Sequence, residues 1–369
     1  MNCNEINIIL KKFKSERFKY TAWIIANINE TVQSEESFIK HTNFSEFFSK
    51  AEFASIASAI ISIFGYVRIF YSETEFINHV ISKKESLNTD NIIVFNFSRD
   101  GIHEGKKSLI PAFCNLFGIK YLGSNPFVIS LLRNKFIYTT FLKSMGIPVP
   151  ISALYYKNGS IEYKIFKDTR TLIIKNNQES ASIGMTDKCL IQNWKNKDIN
   201  YILNYECSIM NTDKILIQEF IEGIECEVFV VKYKNSYHAF PPIKIAIHNS
   251  KIITNEISDT YDYSFSLLSL ELNDNICRKI MQKTELAAKY LNIDDYARFD
   301  YRINTNGNFY LIDIAGSPYL TRHSSIDYLF TEVLGFQYSD IFLYLSAISI
   351  KNYSQDVNCK SDSNKPLDL

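Results

Sequence analysis

Along the first third of the chain, short apolar runs with the texture of strands alternate with segments whose apolar residues recur at helical spacing. Residues 5–10 read as a strand, and residues 47–64 carry apolar side chains at helical spacing up to Gly65. A second strand is predicted over 66–71, an amphipathic segment over 73–83, a third strand over 91–97, and a helix over 106–117 ended by Gly118. Such alternation implies an open α/β sheet, whose ligands sit beyond the carboxyl ends of the strands. A helix over 127–145, closed by Gly146 and followed by Pro148 and Pro150, marks a domain boundary. Beyond it strand signals dominate, over 171–175, 215–220, 226–233 and 242–247, and a long helix over 274–291 leads into a hairpin. From Lys351 the sequence turns polar and reads as a frayed tail. No internal repeat is visible.

The hairpin, Ala297-Arg-Phe-Asp-Tyr-Arg-Ile-Asn-Thr-Asn-Gly-Asn-Phe-Tyr-Leu-Ile-Asp-Ile-Ala315, is the most informative segment. Asn306-Gly307 predicts a two-residue type I′ turn. With Thr305 facing Asn308, Asp300 then lies opposite Asp313 and Arg298 opposite Ala315, all four on one face. Two carboxylates so placed have Cβ atoms about 5 Å apart and repel, so a positive group is expected between them. The alternative is that one acid is protonated, or that both splay into solvent. Phe299, Tyr301, Ile303, Phe309, Ile312 and Ile314 are assigned to the other face, which makes the hairpin buried on both sides and favours a bound cation. Mg²⁺ completed by nucleotide phosphates fits better than a soft metal, because no Cys or His stands at ligand spacing.

Composition narrows the classes. The 369 residues exceed the usual span of one compact domain, and a hydrophobic share of 46% supplies real cores. Because 40 basic side chains balance 40 acidic ones, no global field draws the chain onto nucleic acid or an anionic membrane. Seven cysteines without paired spacing point to reduced thiols in a cytosol. No apolar stretch reaches the roughly 18 residues of a membrane span, and the N-terminus lacks a signal-peptide pattern, so a soluble, cytoplasmic protein is expected. With only 12 glycines and neither a G-x-G-x-x-G nor a Walker A sequence, any nucleotide is held by another device.

The hairpin and the following Ser317-Pro-Tyr-Leu-Thr-Arg-His-Ser-Ser325 resemble the C-terminal signature of D-alanine:D-alanine ligases of the ATP-grasp superfamily. The likeness recurs upstream in order. Phe117-Gly-Ile-Lys-Tyr-Leu-Gly-Ser124, Asn134-Lys135 and Gly146-Ile-Pro-Val-Pro150 resemble the entry to the family's central domain. Lys175-Asn-Asn-Gln-Glu-Ser-Ala-Ser-Ile-Gly-Met185 resembles its lysine and mobile loop, and Gln218-Glu-Phe-Ile-Glu-Gly-Ile-Glu225 its adenine and ribose segment. The resemblance spans roughly residues 91–335 and is specific for the superfamily. It implies an α/β and α+β architecture, an ATP-grasp fold behind an N-terminal open α/β (pre-ATP-grasp) domain. The domains expected are residues 1–126, a central subdomain 127–220, a C-terminal subdomain 221–349 with the metal and substrate site, and a flexible tail 350–369.

Carried over residue by residue, the resemblance assigns Lys135 and Lys175 to the ATP phosphates and residues 178–185, with Ser180, Ala181, Ser182 and Gly184, to a lid. Glu179 and Ser182 are placed against the nucleotide, and Ser182 also in the catalytic set. Gln218, Glu219, Phe220 and Ile221 would hold adenine, and Glu225 the ribose, with Glu227 a rival of the same strand parity. Arg298 would stabilise the oxyanion of a tetrahedral intermediate, Asp300 and Asp313 would hold Mg²⁺, and Ser324 the carboxylate of the second substrate. The implied chemistry is formation of an acyl phosphate from a carboxylate and ATP, then its capture by an amine.

Departures bear on substrate. Ala315 replaces a family Asn, which removes one metal ligand, and Tyr319 replaces a Gly, which narrows the amine pocket. A phosphate-binding lysine expected just before Ser258-Asp259 is missing, with Asn255 or Ser258 in its place and Lys244 or Lys251 as substitutes. Glu16 in Ser15-Glu16-Arg17 corresponds either to the acid that holds the first substrate's ammonium or to a charged surface turn. The family's His-Gly loop appears as Arg99-Asp-Gly-Ile-His-Glu104, and Arg99 near the first substrate favours an acid other than alanine, such as one with its own negative group. The expectation is an ATP- and Mg²⁺-dependent ligase of amino acids or peptides with non-D-alanine specificity, with homodimer formation left open. The alternatives are a catalytically impaired ATP-binding regulatory homologue, a D-alanine:D-alanine ligase proper, and an ATP-grasp enzyme with a nonamino nucleophile.

Overall fold

The computed structural model describes residues 1–29, 46–101, 103–159, 163–166, 168–180 and 182–363. Helix α1 (Cys3–Glu16) opens the chain, where a strand is expected over 5–10. Ile6, Ile9, Leu10 and Phe13 form one buried helical stripe while Ile8 is exposed, and Asn2 and Glu5 make a reciprocal cap. A six-residue window, Glu-Ile-Asn-Ile-Ile-Leu, is too short to show that period. The true first strand is β1 (Thr21–Ala26), buried from Ala22 onward, with parallel neighbours on both sides. A strand covered on both faces has no polar alternation to announce it.

The first sheet continues through α2 (Lys50–Ile61), β2 (Val67–Phe70), α3 (Glu73–Lys83), β3 (Ile92–Phe97), α4 (Leu109–Phe117) and β4 (Lys120–Tyr121), in strand order β2-β1-β3-β4. The helix expected over 127–145 is two helices, α5 (Pro126–Leu132) and α6 (Lys135–Ser144). Asn134 caps α6 at its break, and the backbone N–H groups of Lys135 and Phe136 reach the carbonyl and side-chain oxygen of Asn177. The break aims Lys135 at the loop that follows the next sheet's central strand.

That sheet holds β5 (Ser152–Tyr156), β6 (Thr171–Asn176), β7 (Leu190–Gln192) and, after α7 (Ile199–Ile209), β8 (Lys214–Glu219), in order β5-β8-β6-β7. The largest sheet has β9 (Ile224–Tyr233), β10 (Ser236–Ala239), β11 (Ile243–Ile247) and, past α8 (Asn255–Thr260), β12 (Tyr263–Leu267). It is completed after α9 (Asp274–Tyr290) by the hairpin β13 (Tyr296–Ile303) and β14 (Phe309–Ala315). Its order is β12-β11-β9-β13-β14, with β10 on β9. One face packs on α9 around Phe299, Tyr301 and Leu311; the other carries Phe229 and Val231 into the core of the first sheet.

Asp300 faces Asp313 and Arg298 faces Ala315, as expected, but by a different route. Asn306 does not have positive φ, so the turn is not type I′; Gly307 alone does, at 78°. Gly307 N donates to Asn304 O and Asn304 N to Asn308 O, which makes a three-residue loop. A bulge opposite the Asp300–Tyr301 step then restores the pairing. The bulged residue is Ile312, which lines the cavity described below and does not join the apolar face.

After the short α10 (Ser325–Tyr328), α11 (Tyr338–Ser363) runs through the segment expected to be a frayed tail from Lys351. Its buried Ile341, Phe342, Leu345 and Ile348 pack in the first sheet's core, Asn352 donates to Asp295, and Tyr353 accepts from Tyr121 N. Tertiary partners hold a segment whose own composition is polar. Residues 364–369 of that tail, Ala181 of the lid and Ile102 of the Arg99–Glu104 segment lie outside the described residues. Among the described residues, no single helix is long and apolar enough to cross a membrane.

Candidate active site

The three sheets meet around a cavity of about 540 Å³, lined by residues from 29 to 325. Its floor is a row of carboxylates. The registers of β9, β13 and β14 place Glu227, Asp300 and Asp313 directly beside one another on adjacent strands. Arg298 grips Asp300 with two parallel bonds, Nε to Oδ1 at 2.8 Å and Nη2 to Oδ2 at 2.9 Å, and reaches Glu227 at 3.0 Å. Asp313 takes the Tyr138 hydroxyl at 2.6 Å and its own neighbour's Ile314 N–H at 2.9 Å, with Lys135 Nζ 3.5 Å away.

These partners divide the row. Burial raises the Asp313 pKa, but Lys135, Lys175 and the Tyr138 bond outweigh it and hold the carboxyl below its ordinary range. Burial pushes Glu227 up to about 7, with Arg298 opposing and Asp300 adding to the rise. Asp300 is raised as well, by burial first, against the pull of Arg298. One arginine shared by two buried acids leaves negative charge in excess. An oxygen-only donor set with surplus charge suits a hard cation, and among the described residues no group of three or more His, Cys, Asp or Glu side chains could cage a metal alone. Such a cation would need further ligands from phosphates and water.

At one end of the cavity lie the residues expected around ATP. Lys175 ends β6 on the cavity wall with Nζ 3.5 Å from Ile312 O, and burial lowers its pKa. Lys135 Nζ bonds Glu179 O at 2.8 Å, so both lysines converge on the start of the lid. Ser182 lines the cavity in a left-handed turn, φ 54°. Glu179 also lines it, but its carboxylate is held by Lys106 and Arg133 at 3.2 and 3.1 Å. Gln218, Glu219, Phe220 and Ile221 form the adjoining wall.

Arg302, which the sequence reading left out, organises that wall. It bonds Glu225 at 2.6 Å, Ile221 O at 2.7 Å, Gly223 O at 3.1 Å and Lys251 O at 3.0 Å, and lies 4.6 Å over the Phe220 ring. Its strand parity, shared with Arg298 and Asp300, was the available signal. Gly223 permits this approach, since a Cβ there would lie 2.0 Å from Ile303 O. Glu225 and Glu227 both line the cavity; Glu225 pairs with Arg302 beside the Phe220 wall, and Glu227 with Arg298 beside Asp300.

At the other end, Tyr319 and Arg99 line the wall with the Arg99 guanidinium 4.1 Å over the tyrosine ring. Ser324 lines it too, but its hydroxyl caps α10, accepting from Asp327 N at 3.1 Å and donating to Thr321 O at 2.8 Å. Glu16 is a correction: it ends α1 and does not line the cavity. Past β1, Glu52 in the first turn of α2 lines the cavity, and Glu46 sits behind the cavity-lining Lys107. Lys244 pairs with Glu271 and Lys251 with Glu222, and neither lines the cavity in this structure. Ser258 and Asp259 do line it, as do Lys107 and Arg133, two cations the sequence reading passed over.

Three sheets closed around a cavity with two lysines, an arginine and a carboxylate row define an ATP-grasp ligase of the carboxylate-amine class. The family model described as D-ala D-ala ligase C-terminus matches residues 141–345, more than half of the chain. The chain belongs to that family. It is 21% identical over 223 residues to the D-alanine--D-alanine ligase of Aquifex aeolicus, covering 60% of this chain and 70% of that one. To the Bordetella pertussis D-alanine--D-alanine ligase it is 23% identical over 253 residues, covering 66% and 74%. Among solved structures, a D-alanine--D-alanine ligase from Bacillus anthracis complexed with ATP aligns with a TM-score of 0.64 at 17% identity, covering 91% of this chain and 99% of that one. The D-alanyl-alanine synthetase A of Vibrio cholerae aligns at 0.66 with 16% identity, covering 90% and 99%. At those identities the structures speak for the fold alone.

Proposed function

We propose that this chain uses ATP and Mg²⁺ to join the carboxylate of one amino acid or peptide to the amine of another, with a first acid other than D-alanine. The observation that carries the reading is the convergence of Lys135, Lys175, Arg298 and the Glu227–Asp300–Asp313 row on one cavity. Adenine would stack along Gln218 to Ile221 with Glu225 on the ribose, and Lys135 and Lys175 would neutralise the phosphates. Asp300 and Asp313 would hold Mg²⁺, which when bound offsets charge developing on the transferred phosphoryl group.

In the first step a carboxylate oxygen attacks the γ-phosphorus, the bond to the β–γ bridging oxygen breaks, and ADP leaves. In the second the amine nitrogen attacks the acyl carbon, the carbon–oxygen bond to phosphate breaks with its electrons, and the nitrogen loses a proton. Arg298, fixed by Asp300 and Glu227, supplies a preorganised charge for the oxyanion between those events. Ser182 closes the lid side, excluding water from the acyl phosphate.

The second reading is the activity that the relatives' names give, joining D-alanine to D-alanine. Arg99 and Tyr319 at the substrate end favour the first. The test is phosphate release from purified protein with ATP, Mg²⁺ and pairs of D- and L-amino acids, followed by product mass. No phosphate from any pair, with ATP still raising the melting temperature, would leave only a nucleotide-binding regulator.

A further inference from the structure

Behind Tyr319 the cavity ends in a knot of buried charge that the two chemical steps do not use. Glu46, fully buried, takes Lys106 at 2.5 Å, Lys107 at 3.1 Å and Arg133 at 3.6 Å. Glu179 takes Lys106 and Arg133. Arg99 acts electrostatically on both Glu46 and Lys107 from the Tyr319 side. Among the described residues, four cations therefore surround two carboxylates. Burial drives the Lys107 pKa well below its ordinary value, and Arg99, Arg133 and Lys106 push the same way against Glu46. Glu52 and Asp259 also line this part of the cavity and act on Tyr319 from outside the knot, so what marks the cluster is the burial of its cations, where water screens them little.

Three of these cations, Arg99, Lys107 and Arg133, line the cavity. Arg99 is 1% exposed. Its guanidinium lies over the Tyr319 and Phe48 rings, Nη2 donates to Ser317 O at 3.3 Å, and Nε is buried without a hydrogen-bond partner. Arg133 Nε is likewise buried and unpartnered. The Tyr319 hydroxyl, bonded to Glu46 O at 2.7 Å, locks the ring beneath the guanidinium. A rigid, buried arginine with an unmet donor on a cavity wall is a built receptor for an anion.

Position along the chain says which anion. On β14 Asp313 stands beside Lys135 and Ala315, the last residue, faces Arg298; Ser317, two residues past the strand, accepts from Arg99. On the ligase reading, with Lys135 at the phosphates and Arg298 at the acyl carbon, Arg99 comes next in that order. We infer that this end of the cavity binds a second anionic group on the carboxylate-donating substrate, an amino acid or peptide with an acidic side chain. Lys107 and Arg133 tie the subsite to the lid through the Ser180 hydroxyl, at 3.4 and 2.8 Å.

This inference rests on the ligase reading, and the test separates the two. With ATP, Mg²⁺ and hydroxylamine, an acyl phosphate is trapped without knowledge of the amine: the nitrogen attacks the acyl carbon, phosphate departs, and a hydroxamate forms. Aspartate and glutamate of either hand should give kcat/KM about tenfold or more above alanine. Arg99→Gln should erase most of that preference while the KM for ATP stays within about twofold, with a melt confirming that the variant folds. The wild-type preference is decisive even if it does not. Hydroxamate from alanine alone overturns the anion subsite and leaves the ligase standing. A raised KM for ATP in Arg99→Gln, with the diacid preference intact, moves the arginine to the phosphates and overturns it too. No hydroxamate from any acid overturns both.

Discussion

The two ends of the cavity are built from different materials. On the floor and nucleotide side, Glu227, Asp300 and Asp313 stand on three hydrogen-bonded strands, where pairing fixes their spacing. At the substrate end, Arg99, Lys107 and Arg133 come from loops and a helix break, and only packing around Glu46 and Tyr319 assembles them. Under the function proposed above, the difference separates the reaction from the choice of acid: the reaction would rest on paired strands, whose geometry tolerates little change, and the choice of acid on connecting segments that can be exchanged without disturbing the sheets.

Variants can break or sharpen that contrast. The largest effect is expected from Arg298→Ala, which removes the oxyanion's charge and leaves Glu227 and Asp300 facing each other unneutralised. The kcat should fall about 10²–10³-fold, and a loss under about tenfold in steady-state assays would discard the role. Asp313→Asn should cut Mg²⁺-dependent turnover by about 10–100-fold and raise the Mg²⁺ concentration needed for half-maximal rate, with the melting temperature little changed. Unaltered Mg²⁺ dependence would remove Asp313 from the metal site. Arg302→Lys loses the fork that joins Glu225 to the Phe220 wall, so the KM for ATP should rise about tenfold at nearly constant kcat. A matching loss of kcat would contradict a purely nucleotide-side role.

Smaller effects belong to the scaffold. Tyr319→Phe keeps the ring under Arg99 but removes the bond to Glu46 O, and should cost about 1 kcal/mol in denaturant unfolding without changing the KM for ATP. The smallest concerns Asp295, at the junction of β13 with α11, where burial pushes the carboxyl from its ordinary 3.8 up to about 6. A folded-state pKa raised above the unfolded one means that the native form binds the proton more tightly. Its contribution is present below about pH 4 and lost as pH rises through about 6. Asp295→Asn should flatten that part of the stability curve, and an unchanged slope would refute the assignment.

Much of the reaction centre was legible because it is local. Asp300 and Asp313 were brought face to face by alternation and a turn signal, although the wrong turn type and the unforeseen bulge at Ile312 cancelled each other. The lid and adenine segments were legible through resemblance and do reach the cavity. Less was legible where an element's identity depends on what covers it. The apolar run in α1 fits either period over six residues, and three residues of resemblance at its end were too few to place Glu16, which ends the helix away from the cavity. A polar composition concealed the last turns of α11, which are held by Asp295 and Tyr121.

The order of amino acids determined by itself the hairpin's facing acids, the parity that puts Arg298 beside them, and the family, because two-residue alternation and contiguous motifs are properties of neighbouring positions. Only the tertiary structure decided that Arg99, Lys107 and Arg133 meet around Glu46, that Glu179 turns to Lys106 and Arg133, and that burial pushes the Glu227 carboxyl up to about 7. Those outcomes depend on which distant side chains exclude water from a given charge. That exclusion exists only once the sheets have closed on one another.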